Sequence, residues 1–595
     1  MKQKKYRIVR TFILAALTFP FIISCDSNKI LEETPLDFLA PKNAYSSAAG
    51  VRQGITGLHA FTRDEFFMDG TNTEQETFAW RLGVSTDISF HGEDPASTKF
   101  PCDFVSFFTS TNYISRDVWK VDYKLIQMAN VLIDAIENSD PEIWENEFQS
   151  DAYKAEAMFF RAYAYRELVQ VFGAVPIVTE AIKAPKDDFT RASVADVYDV
   201  IVNDLKFASA KLPVGGKEED PGRITQGAAW HFLAEAYLSQ GKNQEAVDAA
   251  NHVINDYGYK LMTERFGNTV DVFGSGDVYL DLHAFGNHNL PENKEAIWVV
   301  QYEPLVEGGS SFPGERAVGP AYFRIGNTPD GKKAFLGELY NGKYTGYSDS
   351  LSRPVAWIRP TWFATNIIWK DDWNNDFRNA KHQIKRDFYW DNPASIYYKQ
   401  KVDFSLYPPN SGRDSMRDTC QYIFPYFMKF ADPLNHFTNP DRSGNGYNHK
   451  DWYALRLAET YLLRAEAYVN LNQKDKAADD INAVRVRSNA KPIAAADATI
   501  DFVLDERARE LWGEEQRQIT LRRTGKFVER IRKYNNNPIY PGLNIANHHV
   551  LLPIPQTQID LNIGAEFPQK FLLFYFLHIS AIVIIRHIAF KSECQ

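Results

Sequence analysis

The chain has 595 residues, 44% of them hydrophobic and 24% charged, which excludes an intrinsically disordered protein and leaves length for more than one domain. With 76 Asp and Glu against 66 Lys and Arg the net charge is −10, which argues against a nucleic-acid backbone as partner. Four cysteines exclude a disulfide-dense scaffold, and Cys102, Cys420 and Cys594 show no metal-ligand spacing, while a Cys102–Cys420 bridge stays open.

Residues 1–24 open with Lys2, Lys4, Lys5, Arg7 and Arg10 and continue as an uncharged run from Thr11 to Ile23. That is the layout of a secretory signal, too short for an ordinary spanning helix. Ile22-Ile23-Ser24-Cys25 resembles a bacterial lipobox, which implies that Cys25 becomes the lipidated first residue of the mature chain. Several acyl chains, at about 0.8 kcal/mol per buried methylene, hold a soluble body to a membrane. Residues 25–45 read as a polar tether, in which Asp26, Glu32 and Glu33 are interrupted by Lys29.

Residues 46–260 are expected to be helical. "DAYKAEAMFFRAYAYRELVQVFGAVPIV" (151–178) reads as a long helix with alanine contact points, capped at Gly173 and stopped by Pro176. "WHFLAEAYLSQGKNQEAVDAANHVI" (230–254) reads as two antiparallel helices turning at Gly241. It resembles a tetratricopeptide repeat through Trp230, Leu233, Ala234, Tyr237, Gly241 and Ala246. A second copy at 461–487 places Ala465, Tyr468 and Ala477 at the same offsets, and degenerate copies are expected around 117–137 and 153–172. Between 261 and 450 Gly, Pro, Asn and Asp recur every few residues among dense aromatics, and only "EAIWVVQY" (295–302) reads as a strand, with Trp298 in the core. Residues 451–569 return to helix. Residues 570–595 form an apolar tail broken by His578, Arg586 and His587; it is borderline as a membrane span and is read as out-of-frame or read-through sequence. The expected fold class is mainly α: helical hairpins as a scaffold, a loop-rich irregular layer, and few short strands.

Catalytic signatures do not emerge. There is no phosphate-binding or dinucleotide glycine loop, no H-E-x-x-H and no G-x-S-x-G. "WGEEQRQ" (512–518) sets Glu514 and Glu515 beside Arg517, read as an ion-paired helix surface. His548 and His549 precede the strand-like "VLLPIP", where neighbours face opposite ways and make a poor metal pair. No enzyme, metal or cofactor is expected.

Six blocks, in order behind the lipobox, resemble the SusD/RagB family of outer-membrane lipoproteins. They are "AEAMFFRAYAYRELVQVFGAVPIV" (155–178), "RASVADVYDVIVNDLKFASAKLP" (191–213), "GRITQGAAWHFLAEAYL" (222–238), "RLAETYLLRAEAYVNLN" (456–472), "ERARELWGEEQRQITLRRTGKF" (506–527) and "LLPIPQTQIDLN" (551–562). The resemblance implies a surface-exposed lipoprotein of the outer membrane that binds an oligosaccharide or polysaccharide and delivers it to a SusC-like TonB-dependent transporter. A peptide-binding receptor and a periplasmic repeat scaffold are the alternatives. Sugars present apolar C–H faces and hydroxyl rims, so their capture calls for exposed flat rings with hydrogen-bonding side chains nearby. Two segments offer that mixture: 85–117, with Asp87, Phe90, Phe107, Phe108 and Tyr113, and 302–362, with Arg316, Tyr322, Phe323, Trp357 and Arg359. Of these, Asp87, Phe90, Phe107, Phe108, Tyr113, Arg316, Tyr322 and Trp357 are the candidate ligand contacts; for each ring, packing into the core is the competing reading. Trp369 and Trp373 sit beside Asp376-Phe377-Arg378, which resembles a family framework element, and are read as structural.

Overall fold

The computed structural model describes residues 44–68, 75–92, 103–268, 270, 276–340, 342–348, 350–432 and 447–569. The expected signal, Cys25, most of the tether, Cys102 and the 570–595 tail lie outside the described residues.

The body is mainly helical. Its scaffold begins with α1 (Ala48–Thr62), α2 (Tyr113–Glu137), α3 (Glu147–Phe172) and α4 (Val194–Lys211). It continues through α5 (Gln226–Ser239) and α6 (Asn243–Asp256), then α7 (Leu457–Asn470) and α8 (Lys474–Arg487), and closes with α9 (Ile500–Glu510), α10 (Arg517–Arg523) and α11 (Phe527–Tyr534). Each helix from α2 to α8 packs on the next, and α6 packs directly on α7 although 200 residues of chain separate them. The loop-rich layer therefore leaves the stack between α6 and α7 and returns to the same place. The antiparallel pair β2 (Ala296–Val300) and β8 (Trp452–Arg456) seals its root, with Trp298 buried as expected.

Small side chains make the close stacking possible. Ala234, Ala246 and Ala250 of the first hairpin and Ala465, Ala477 and Ala478 of the second share one buried cluster. The two hairpin turns solve the same backbone problem with different residues. Gly241 takes φ 72° after α5, and Asn472 takes φ 58° after α7. The Lys242 and Gln473 amides then close onto the Tyr237 and Tyr468 carbonyls. Asparagine is the side-chain-bearing residue that best tolerates this left-handed conformation. At the end of α3, Gly173 (φ 71°) supplies the expected cap. Salt bridges cross-link the stack: Arg161 forks onto Asp204 of α4 with both bonds at 2.8 Å, and Arg166 reaches Glu235 of α5.

The loop-rich layer contains only short strands: β1 (Ser89–Phe90) with β5 (Arg359–Pro360), β3 (Leu339–Tyr340) with β4 (Lys343–Tyr344), and β6 (Ile384–Lys385) with β7 (Tyr426–Phe427). What fastens it to the scaffold is a buried ionic network. Arg456, at the end of β8, donates to Glu295 at 2.7 Å and to Glu514 at 2.6 Å. Arg487 of α8 donates to Glu295 at 2.8 Å, and Arg378 forks onto Asp376 and reaches Glu506 and Glu510 at 2.8 Å. Trp369 is buried beside it, as expected, whereas Trp373 is 40% exposed, with the Arg386 guanidinium over its ring.

Two sequence expectations are corrected here. Glu514, Glu515 and Arg517 are ion-paired, but inside the protein rather than on a helix surface: Glu515 accepts from Arg507 at 2.6 Å and from Arg517 at 2.9 Å. "VLLPIP" forms no strand: Val550 ends a 3-10 turn, Asn547–Val550, residues 551–555 are irregular, and the His548 and His549 rings lie against each other with centroids 3.9 Å apart.

Candidate ligand-binding surface

The two candidate segments meet at one backbone junction. Phe90 in β1 pairs with Arg359 in β5, and the Gly92 amide donates to the Ala356 carbonyl at 3.2 Å. Gly92 tolerates no side chain, because a Cβ there would lie 2.9 Å from the Cys420 carbonyl and 3.0 Å from that of Ala356. Residues 355–358 run alongside a short helical turn, Gly314–Val318. Val355 donates to the Arg316 carbonyl at 2.8 Å and Ile358 to that of Ala317 at 2.9 Å. Ala356 sits at φ 65°, which breaks the in–out alternation of an extended chain. Val355, Ala356 and Ile358 all turn inward, and Trp357 alone turns toward the outside.

That turn brings Trp357 to Arg316, two of the residues expected from sequence. The guanidinium lies over the Trp357 ring at 5.3 Å and over the ring of Tyr447 at 5.5 Å. Tyr447 was missed by sequence reasoning. Its placement depends on the Phe312–Asn448 backbone bridge, with bonds of 2.6 and 2.9 Å, which nothing in "GNGYNHK" announces. All three side chains are half-buried, so the rings are fixed from behind while part of each stays open. Stacking of this kind holds an aromatic wall rigid at low entropic cost.

Phe107, Phe108 and Tyr113 form a second group, also half-buried. Phe108 stacks on Phe104 at 4.7 Å, and Phe107 meets Tyr113 edge-on at 5.8 Å. Behind them His549 packs against Phe108, accepts from the Ala546 amide at 2.9 Å, and is pulled down to about pKa 4, first by burial and then by His548. A ring that accepts through Nδ1 and titrates that low is neutral at pH 7. This group and Trp357 share no ring contact among the described residues.

Three candidates are corrected. Asp87 is fully buried: Arg517 donates to it at 2.9 and 2.6 Å and Arg530 at 2.7 Å. Burial alone would raise its pKa, but the two guanidiniums hold it at about 2. It pins the β1 segment to α10 and α11 instead of meeting a ligand. Phe90 is 1% exposed and belongs to the apolar cluster of Phe104, Leu521 and Phe527, with Arg359 over its ring at 5.0 Å. Tyr322 is equally buried, its hydroxyl donating to the Ser352 carbonyl at 2.9 Å and accepting from the Ser348 amide at 2.8 Å. Trp362, which was not singled out, is 59% exposed at the start of a short helical turn, Trp362–Thr365, just after β5. Cys420 is buried and accepts from Arg359 at 3.0 Å; Cys102, with which a bridge stays open, lies outside the described residues.

The comparisons with known proteins agree with this architecture. Residues 294–569 match a family described as the SusD family, and residues 84–238 match one described as starch-binding associating with outer membrane. A relative from Formosa agariphila, SusD-like protein P25, is 25% identical over 566 residues, covering 91% of this chain and 95% of its own. A solved SusD homolog from Bacteroides thetaiotaomicron superposes with TM-score 0.66 at 19% identity, over 90% of this chain and 98% of that one. Surface glycan-binding protein A from the same organism, in complex with laminarihexaose, superposes with TM-score 0.61 at 17% identity, over 88% and 99%.

Proposed function

The chain belongs to the SusD family, and from that premise we propose that it is a non-catalytic receptor that captures an oligosaccharide or polysaccharide at the Trp357 surface. The observation that carries the reading is the ring wall itself: Trp357 and Tyr447, held by one guanidinium between them and partly open to solvent. An indole face stacks on the apolar C–H face of a pyranose, and polar side chains beside it suit the ring hydroxyls. The group of Phe107, Phe108 and Tyr113 is a second surface of the same kind. The laminarihexaose complex of a fold relative makes β-glucans the first probes to try.

In this reading Cys25 carries the lipid anchor in the outer membrane, the body faces the outside of the cell, and a SusC-like TonB-dependent transporter receives the glycan. Affinity electrophoresis of the mature protein through gels loaded with a panel of polysaccharides, laminarin included, tests the binding step. Retardation by at least one glycan, with no reducing ends released on incubation, supports the proposal. Uniform migration through every gel, with peptide binding seen by calorimetry, replaces it by a peptide receptor. Protease shaving of intact cells tests orientation: a protected body contradicts surface exposure and leaves a periplasmic scaffold.

A further inference from the structure

Arginines laid over rings recur in the segments that backbone bonds tie to the Trp357 wall, here called the ledge. Between Phe312 and Pro360 seven basic residues stand against four acidic ones, in a chain whose net charge is −10. Two of those four carboxylates are already committed. Glu315 is buried and accepts from the Asp432 amide and the Asn448 side chain, and Asp330 accepts from Thr328, Ser395 and the Ile396 amide.

The arginines are placed differently. Arg353 lies over Phe323 at 5.3 Å, and Arg417, exposed, lies over Tyr422 at 5.5 Å. The Ala321–Gln421 backbone bond, 2.9 Å, joins the segments that carry these rings. Arg359 is wedged between Phe90 and Phe424, donates only to the Cys420 sulfur, and has no partner for Nε. Among the described residues no carboxylate pairs with Arg353, Arg359 or Arg417. Burial pushes the Arg359 pKa down, the sign of a cation held without a counter-charge. The buried ionic network behaves otherwise, since Arg378, Arg456, Arg487, Arg507, Arg517 and Arg530 each hold at least one carboxylate; Arg386 and Arg522 also lie over rings, but their donors go to carbonyl and amide oxygens. Guanidiniums laid on rings with their outer donors unclaimed suit a ligand that brings both an apolar face and an anion.

We propose that the glycan taken at this ledge is acidic, bearing sulfate esters or uronate carboxylates that meet Arg353 and Arg417 while its sugar faces stack on the neighbouring rings. This rests on the receptor reading above and adds the charge class of its ligand. The test is calorimetry of the mature protein against two pairs of probes, carrageenan with its desulfated product and polygalacturonate with its carboxyl-reduced product, and a neutral β-glucan as reference. At least one acidic probe is expected to bind about tenfold or more tighter than its neutralised counterpart. Its affinity should fall as NaCl rises from about 50 to about 500 mM. Arg417→Gln, an exposed position that leaves folding untouched, and Arg353→Gln should each weaken the acidic probe by roughly fivefold to tenfold and leave any neutral binding within a factor of about two. Equal affinity for acidic and neutralised partners, or binding indifferent to salt and to both substitutions, overturns the charge assignment and leaves the receptor reading standing. Absence of binding to every acidic and neutral probe overturns both.

Discussion

Asp87→Asn separates a framework role from a ligand contact at the residue where the two were hardest to tell apart. The substitution keeps the shape of the side chain and removes the charge that Arg517 and Arg530 share. Relative to the ordinary carboxylate value of 3.8, a folded pKa of about 2 corresponds to about 2 kcal/mol of stabilisation at neutral pH. The two arginines keep other partners, Glu515 for Arg517 and Asp501 and Asp505 for Arg530. The loss should therefore stay near the lower end of what breaking a buried pair costs, about 2–4 kcal/mol. Native-state hydrogen exchange reads this locally: amides of α10 and α11 should exchange roughly 30-fold to 1,000-fold faster in the variant at pH 7. Because the folded pKa is depressed, the carboxylate's contribution is complete above about pH 4 and disappears as pH falls through about 2. The gap between wild type and variant should close over that interval. Unchanged protection in α10 and α11, combined with lost glycan binding, would refute the framework assignment and return Asp87 to the ligand.

Tyr322→Phe should cost about 1–2 kcal/mol of stability, because it leaves the buried Ser352 carbonyl and Ser348 amide without their shared hydroxyl; urea unfolding followed by tryptophan fluorescence measures it. Gly241→Ala should cost about 1 kcal/mol through backbone strain at φ 72° alone, since the space around that position is open, and circular dichroism on heating gives the comparison. Asn472→Ala, at the equivalent turn of the second hairpin, should lose a similar amount. Cys25→Ser should abolish metabolic palmitate labelling and move the protein to the soluble fraction, and unchanged membrane fractionation would contradict the anchor.

The scaffold was legible because helices report themselves locally. Alanine spacing, a glycine at the hairpin turn and a Gly–Pro stop are all written within 30 residues of the structure they produce. The Asn472 turn shows how far that goes, since the second hairpin keeps the geometry with a different residue. The ledge was legible only in part. Arg316 and Trp357 lie where loop-rich sequence mixes rings with polar residues, and they do come together. Asp87, Phe90 and Tyr322 have the same sequence neighbourhood and are buried. The difference lies in partners such as Arg517 and Arg530, more than 400 residues away from Asp87, which no local pattern reveals. The exposure of Trp373, the burial of Glu514 and Glu515, and the contribution of Tyr447 have the same origin: irregular chain has no period from which to tell inside from outside.

The claim on which the account turns is that the Trp357 wall holds the glycan. Calorimetric titration of whichever glycan retards the wild-type protein, into wild type and Trp357→Ala side by side, measures it directly. Losing one stacked ring is expected to weaken binding by about tenfold or more, with circular dichroism confirming that the variant is folded. A Trp357→Ala variant that binds with wild-type affinity would place the glycan elsewhere and contradict the account.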